Sequence, residues 1–191
     1  MALLNQKRIC TLNIRHSTAS DCTAISDIHM SAFGQEQGQE IVELVNGLLD
    51  DTTAEPLLSL VAESAGRLVG HILFTQAKLQ SDKEVSVRIL APLAVAYDFQ
   101  GTGIGGALIR EGLSQLAESG VDLVFVLGHI GYYPKFGFQT AGVLGYEAPH
   151  PIPSEKADAW MVQALKAGVI GRIEGKVQCS EVLNQPQHWR E

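Results

Sequence analysis

The stretch Leu93-Ala94-Val95-Ala96-Tyr97-Asp98-Phe99-Gln100-Gly101-Thr102-Gly103-Ile104-Gly105-Gly106 decides the fold. Its first half closes a nearly unbroken apolar run from Ile89 to Val95, which reads as the end of a strand over 85–97. The residues from Gly103 to Ser119 carry Leu108, Ile109, Gly112, Leu113 and Leu116 at helical spacing, with Gly120 as the stop. A glycine loop placed between a strand and a helix N-terminus makes an anion site. Unpaired backbone N–H groups converge there, and the helix dipole adds about half a positive charge. Four glycines in the six positions from Gly101 to Gly106 let a phosphate approach backbone that side chains would otherwise shield. Pro92 lies inside the apolar run and cannot donate to a ladder, so the strand is expected to be open on one side from Pro92 to Val95.

The chain around this stretch has 191 residues and suits one domain. Its formal charge is −7, which lacks the basic footprint of a nucleic-acid binder and offers no attraction to anionic membranes. Eleven of the nineteen glycines fall between Gly101 and Gly145, interleaved with Val, Leu, Ile and Phe, which argues for built loops over disorder. Three cysteines (Cys10, Cys22, Cys179) without motif spacing read as reduced thiols, and Met1 to Cys10 holds no apolar run of signal-peptide length. A cytoplasmic protein without a membrane span is expected. The six histidines show no i, i+4 pair, and no metal is expected.

Working outward, Asn13 to His16 reads as a short strand, and Ser20 as the N-cap of a helix carrying Ala24, Ile25, Ile28 and Ala32. Ile41, Leu44, Val45 and Leu48 mark a second helix. Ser59 to Glu63 and Leu68 to Thr75 form a hairpin around Ala65-Gly66-Arg67. Val121 to Leu127 suits a buried strand. Gly128 to Phe138 suits a turn around a short helix, and Ala159 to Leu165 one more strand.

Two nucleotide-binding readings compete for the glycine loop. A Walker loop is excluded because no Gly-Lys-Ser/Thr follows. Gly101, Gly103 and Gly106 satisfy G-x-G-x-x-G, but the acidic residue at the required spacing, Asp122, begins the next strand instead of ending it. A dinucleotide oxidoreductase is therefore disfavoured.

Leu93-Ala94-Val95, followed by Gln100-x-x-Gly103-x-Gly105, resembles the signature of the GNAT superfamily of acyl-CoA N-acyltransferases. Tyr133-Pro134-Lys135-Phe136-Gly137-Phe138 is similar to that family's late Tyr-x-x-x-Gly-Phe. The resemblance covers residues 12–165. It implies an α/β fold of the α+β kind, a mostly antiparallel central sheet with splayed strands flanked by helices. Residues 166–191 would be a C-terminal extension on the same domain, leaving open whether they cover the acceptor side or a dimer interface; a homodimer is one expectation.

The resemblance further implies an N-acetyltransferase that passes the acetyl group of acetyl-CoA to an amine by direct attack on the thioester. The alternative is a non-catalytic acyl-CoA-binding sensor or partner module. Leu93, Ala94 and Val95 would face the pantetheine arm. Gln100, Gly101, Thr102, Gly103, Ile104, Gly105 and Gly106 would hold the pyrophosphate, with Arg110 and Lys135 within reach of the phosphates. Tyr133 would protonate the leaving thiolate; a phenol with pKa near 10 lies close enough to a thiol near 8.5 that little tuning is required. Tyr132 would point elsewhere.

The base is less determined. An α-amine costs roughly 1 kcal/mol to deprotonate at pH 7 and a lysine nearly 5. Glu63, Glu84 and His129 are the candidates, with His129 placed to face the cleft. Trp160 and Met161 suit the core better than the acceptor pocket, which is expected from residues 33–50 and 142–153.

Overall fold

In the computed structural model, which describes residues 12–189, nine strands and two long helices alternate with short 3-10 turns. Met1 to Cys10 and the last two residues of the 166–191 extension lie outside the described residues.

β1 (Leu12–His16), β2 (Leu58–Ser64), β3 (Arg67–Leu79) and β4 (Val87–Val95) pair antiparallel in that order. β5 (Leu123–Leu127) then joins β4 in parallel, and β8 (Trp160–Ala164) lies between β5 and the two-residue β6 (Gln139–Thr140). β9 (Gly175–Gln178) pairs with the end of β3 and, in parallel, with β7 (Tyr146–Glu147).

The two faces of this sheet follow from the two-residue period of β3. Ile72 and Phe74 pack with Leu108, Ile109, Leu113 and Leu116 of α2 (Ile104–Glu118). Leu73 and Ala77 pack on the opposite side with Leu44 and Leu48 of α1 (Cys22–Asp50). The sequence reads α1 as two helices, and the backbone agrees at one point: Gly34, at φ 72° and ψ −175°, breaks the helical path. The β2–β3 turn is as expected, with Ala65 and Gly66 both in the left-handed region that a tight hairpin needs.

Two of the expected boundaries move. Thr18, not Ser20, opens the first turn: its N–H donates to the Asp21 carboxylate at 2.7 Å, and both Arg15 nitrogens bind that same carboxylate at 2.8 and 3.0 Å. β3 runs on to Leu79, because Lys78 and Leu79 find a partner in β9, about a hundred residues later in the chain. The weakly patterned stretch after Lys166 also contributes Leu183 and Trp189 to the core on the α1 face.

Candidate active site

β4 and β5 are paired only from Val87↔Leu123 to Ile89↔Phe125. Beyond Ile89 the two strands separate. On its other side β4 remains bound to β3 up to Val95↔Gly70, with one extra residue on β4 between Leu90 and Leu93, where Pro92 sits. A bulge at that position bends the strand and strengthens its twist, which carries it away from β5. The opening expected from Pro92 is thus present.

Which backbone groups face the opening follows from alternation. The Ala96 N–H donates to Val69 O at 2.9 Å, so Ala94 and Ala96 turn toward β3. Leu93 and Val95 turn their N–H and C=O groups the other way. The Val95 carbonyl accepts the Gln100 side-chain amide at 3.1 Å, as this orientation requires. Ala94 is buried and faces His71 across the ladder, so it does not share the outward orientation of its neighbours.

The glycine loop lies at the end of the same strand. Gly101 and Gly103 have φ of 73° and 89°, in the region that disfavours any side chain. The first hydrogen bond of α2 runs from Ala107 N to Gly103 O at 3.0 Å, and no side chain caps this end. The amides of Ile104, Gly105 and Gly106 therefore have no intrahelical acceptor. Thr102 turns its hydroxyl back to Phe99 O at 2.5 Å. A cavity of about 480 Å³ opens over this end, lined by Val95, Gln100, Gly103, Gly105, Arg110 and Tyr132, among others.

A second cavity, of about 670 Å³, occupies the gap between β4 and β5. Leu93 and Tyr132 line both cavities, so the glycine-loop hollow and the gap adjoin at these two residues. Tyr133, His129 and Lys135 line the second cavity together with Phe33, Ile41 and Leu44 from α1. Tyr133 is nearly buried and its ring lies against Gly128, where a side chain would collide with it. Phe138 and Tyr132 meet that ring edge-on, at 5.7 and 5.4 Å between centroids. His129 is exposed, and its Nδ1 accepts the Gly131 N–H at 3.1 Å.

Several placements depart from expectation. Lys135 lines the gap and not the glycine-loop cavity; its ammonium lies 6.0 Å from the Tyr132 ring centre. Arg110 is the cation at the glycine end. Tyr132, expected to point elsewhere, packs edge-on against Tyr133 and sends its hydroxyl to Gly105, where the two cavities adjoin; burial raises that hydroxyl's pKa against the opposing charge of Arg110. Glu63 and Glu84 line neither cavity, and Glu63 is 3.7 Å from Arg15 in an ion pair. Asp122 accepts the Ser86 N–H at 2.8 Å, a structural bond at the start of β5. Trp160 and Met161 are core residues; the Trp160 indole donates to Tyr146 O at 3.1 Å.

Of the two stretches expected to form the acceptor side, 33–50 reaches the gap, whereas 142–153 borders a separate hollow. Leu183, His188 and Trp189 take its place. Sequence reasoning missed these three because no motif marks the tail and its position depends on long-range packing.

The comparisons with known proteins agree with this geometry. A family model described as an acetyltransferase (GNAT) domain matches residues 13–141. YjhQ of Escherichia coli K12, an N-acetyltransferase by name, is 44% identical over 164 residues, 85% of this chain and 88% of its own. The crystal structure of YhbS from Escherichia coli in complex with CoA has a TM-score of 0.81 at 27% identity, covering 92% of this chain and 93% of that one. The structure of a GNAT family acetyltransferase from Brucella melitensis in complex with acetyl-CoA gives 0.71 at 30% identity, covering 91% and 98%. With a matching family model over two thirds of its length and an open β4 leading into a glycine-rich helix end, the chain belongs to the GNAT acetyltransferase family.

Proposed function

We propose that the chain binds acetyl-CoA along the β4–β5 gap and transfers the acetyl group to an amine by direct attack on the thioester. The observation that carries this reading is the end of β4–β5 pairing at Ile89↔Phe125, which exposes Leu93 and Val95 in line with the uncapped start of α2. The pyrophosphate would rest on the amides of Gly103 to Gly106, with Gln100, Gly101 and Thr102 shaping the loop and Arg110 adding a cation. The pantetheine arm would pair with the outward backbone of Leu93 and Val95, in place of the missing strand. The thioester would then lie beside Tyr133.

Each part supplies a distinct term. Backbone donors that polarise the thioester carbonyl stabilise the oxyanion of the tetrahedral intermediate. The Tyr133 hydroxyl gives its proton to the departing thiolate. The amine enters from the side of α1 and the tail, where Phe33, Ile41 and Leu183 give an apolar wall. Residues 12–165 would form the acetyltransferase domain proper, and the segment after Lys166 would complete its acceptor side.

Titration calorimetry with acetyl-CoA tests the binding: a dissociation constant in the micromolar range is expected, and no heat at tens of micromolar overturns the reading. Release of free CoA in the presence of a panel of amines separates a transferase from a module that only binds the thioester.

A further inference from the structure

His188 belongs to the turn Pro186–Trp189, which is fixed at both ends. Trp189 is buried and its indole N–H donates to Leu183 O at 2.9 Å; the His188 amide donates to Gln185 O at 3.0 Å. This holds the imidazole in the wall of the gap cavity that Tyr133 also lines. The His188 side chain is only 10% exposed, and its Nδ1 is 3.9 Å from Glu40 Oε1 on α1. That distance is too long for a hydrogen bond, so Glu40 acts on the ring through its charge. Among the described residues no hydrogen bond engages Nε2. The other ionisable groups around the cavity are His129, Lys135, Tyr132 and Tyr133.

We propose that His188 is the base that takes the proton from the attacking amine, with Glu40 placed to stabilise the imidazolium that results. The assignment rests on the acetyl-transfer reading above. His129, the other imidazole of the cavity, faces solvent and uses Nδ1 for the Gly131 amide. Burial lowers the pKa of His188, against the opposing charge of Glu40, and keeps the ring neutral and able to accept at pH 7. As the amine nitrogen bonds to the thioester carbon, its N–H proton passes to Nε2. The C–S bond breaks, and the thiolate takes the Tyr133 proton. The imidazolium proton returns to the Tyr133 phenolate through solvent, which leaves an amide, free CoA and an unchanged enzyme.

Bromoacetyl-CoA tests this without knowledge of the natural amine, because its electrophilic carbon alkylates a neutral nitrogen beside the thioester, with bromide leaving. Mass spectrometry is expected to find the label on His188, and His188→Gln to reduce labelling at least tenfold with acetyl-CoA affinity unchanged. Labelling should fall at acid pH, with a midpoint that moves lower in Glu40→Gln. Any amine that releases CoA with the native chain should do so roughly 100-fold more slowly in His188→Gln. Acetyl-CoA binding with the label on His129 or elsewhere, or a midpoint unmoved by Glu40→Gln, overturns the assignment and leaves the acetyl-transfer reading standing. Absence of acetyl-CoA binding removes that parent reading instead.

Discussion

Ile89 of β4 and Phe125 of β5 form the last parallel pair before the sheet opens. Both side chains belong to the core on the α1 face, so the pairing ends where packing is still dense. The bulge at Pro92 then turns β4 outward while β3 follows it. The opening is therefore a built feature of the strand, held by the hairpin on one side and by the core beneath. A ligand that restores main-chain pairing at Leu93 and Val95 meets a preformed edge, which lowers the ordering cost of binding.

Gly103 tolerates a side chain poorly, because its φ of 89° is a left-handed value at the entrance of α2. A non-glycine residue there costs about 1–2 kcal/mol or forces the first turn to rearrange. Gly103→Val should weaken acetyl-CoA binding at least tenfold by calorimetry while lowering the melting temperature by only a few degrees. Unchanged affinity would remove the loop from the binding site.

Tyr133→Phe keeps the ring against Gly128 and Phe138 and removes only the hydroxyl. If the phenol protonates the thiolate, turnover falls by about 100-fold or more, and acetyl-CoA affinity changes less than threefold. A kcat within threefold of the native chain would end the acid assignment.

The contrast between Tyr133 and His188 shows what could be read from the chain in advance. Tyr133 sits in a local pattern, four residues before Gly137, and the loop from Gln100 to Gly106 likewise encodes its own turn and helix start. Such features depend on neighbours in sequence. Pro92 announced the open side of β4 for the same reason, although not the bulge that produces it. His188 has no pattern around it; its place in the gap depends on Trp189 entering a core shared with Leu44 and Phe125, residues far apart in the chain. Tyr132 illustrates a subtler loss. Its type and position were plain, but its ring direction follows from Gly105 leaving space beside the helix, which no single-residue rule supplies.

Gly112 stands in the middle of α2, where helix propensity alone favours alanine by about 1 kcal/mol. The structure reverses that preference. A methyl group at Gly112 would come within 2.6 Å of Phe74 Cζ, and Phe74 is fully buried beneath the helix. Overpacking at such a site costs roughly 1–3 kcal/mol. Gly112→Ala should therefore lower the melting temperature by about 2–4 °C per kcal/mol lost. A rise in melting temperature would show that propensity wins and that the ring has room to move.

His29 and His71 form a buried polar pair on the α1 face, with His29 Nε2 2.8 Å from His71 Nδ1 and His71 Nε2 3.0 Å from the Ser59 hydroxyl. Burial pushes the His29 pKa down to about 4; burial and the neighbouring His29 push His71 down to about 3. Both values lie below the 6.5 of an unfolded histidine. Between these limits the unfolded chain binds more protons than the folded one, so stability rises with pH. It is fully present above pH 6.5 and is lost as the pH falls toward 4. Each histidine contributes at most about 1.4 kcal/mol per pH unit in that window. Urea unfolding at pH 7 and pH 5 should show the midpoint falling, with the difference reduced in His29→Gln, which removes one titrating ring. Equal midpoints at the two pH values in the native chain would mean that the pair is reached by solvent and protonates in the folded state.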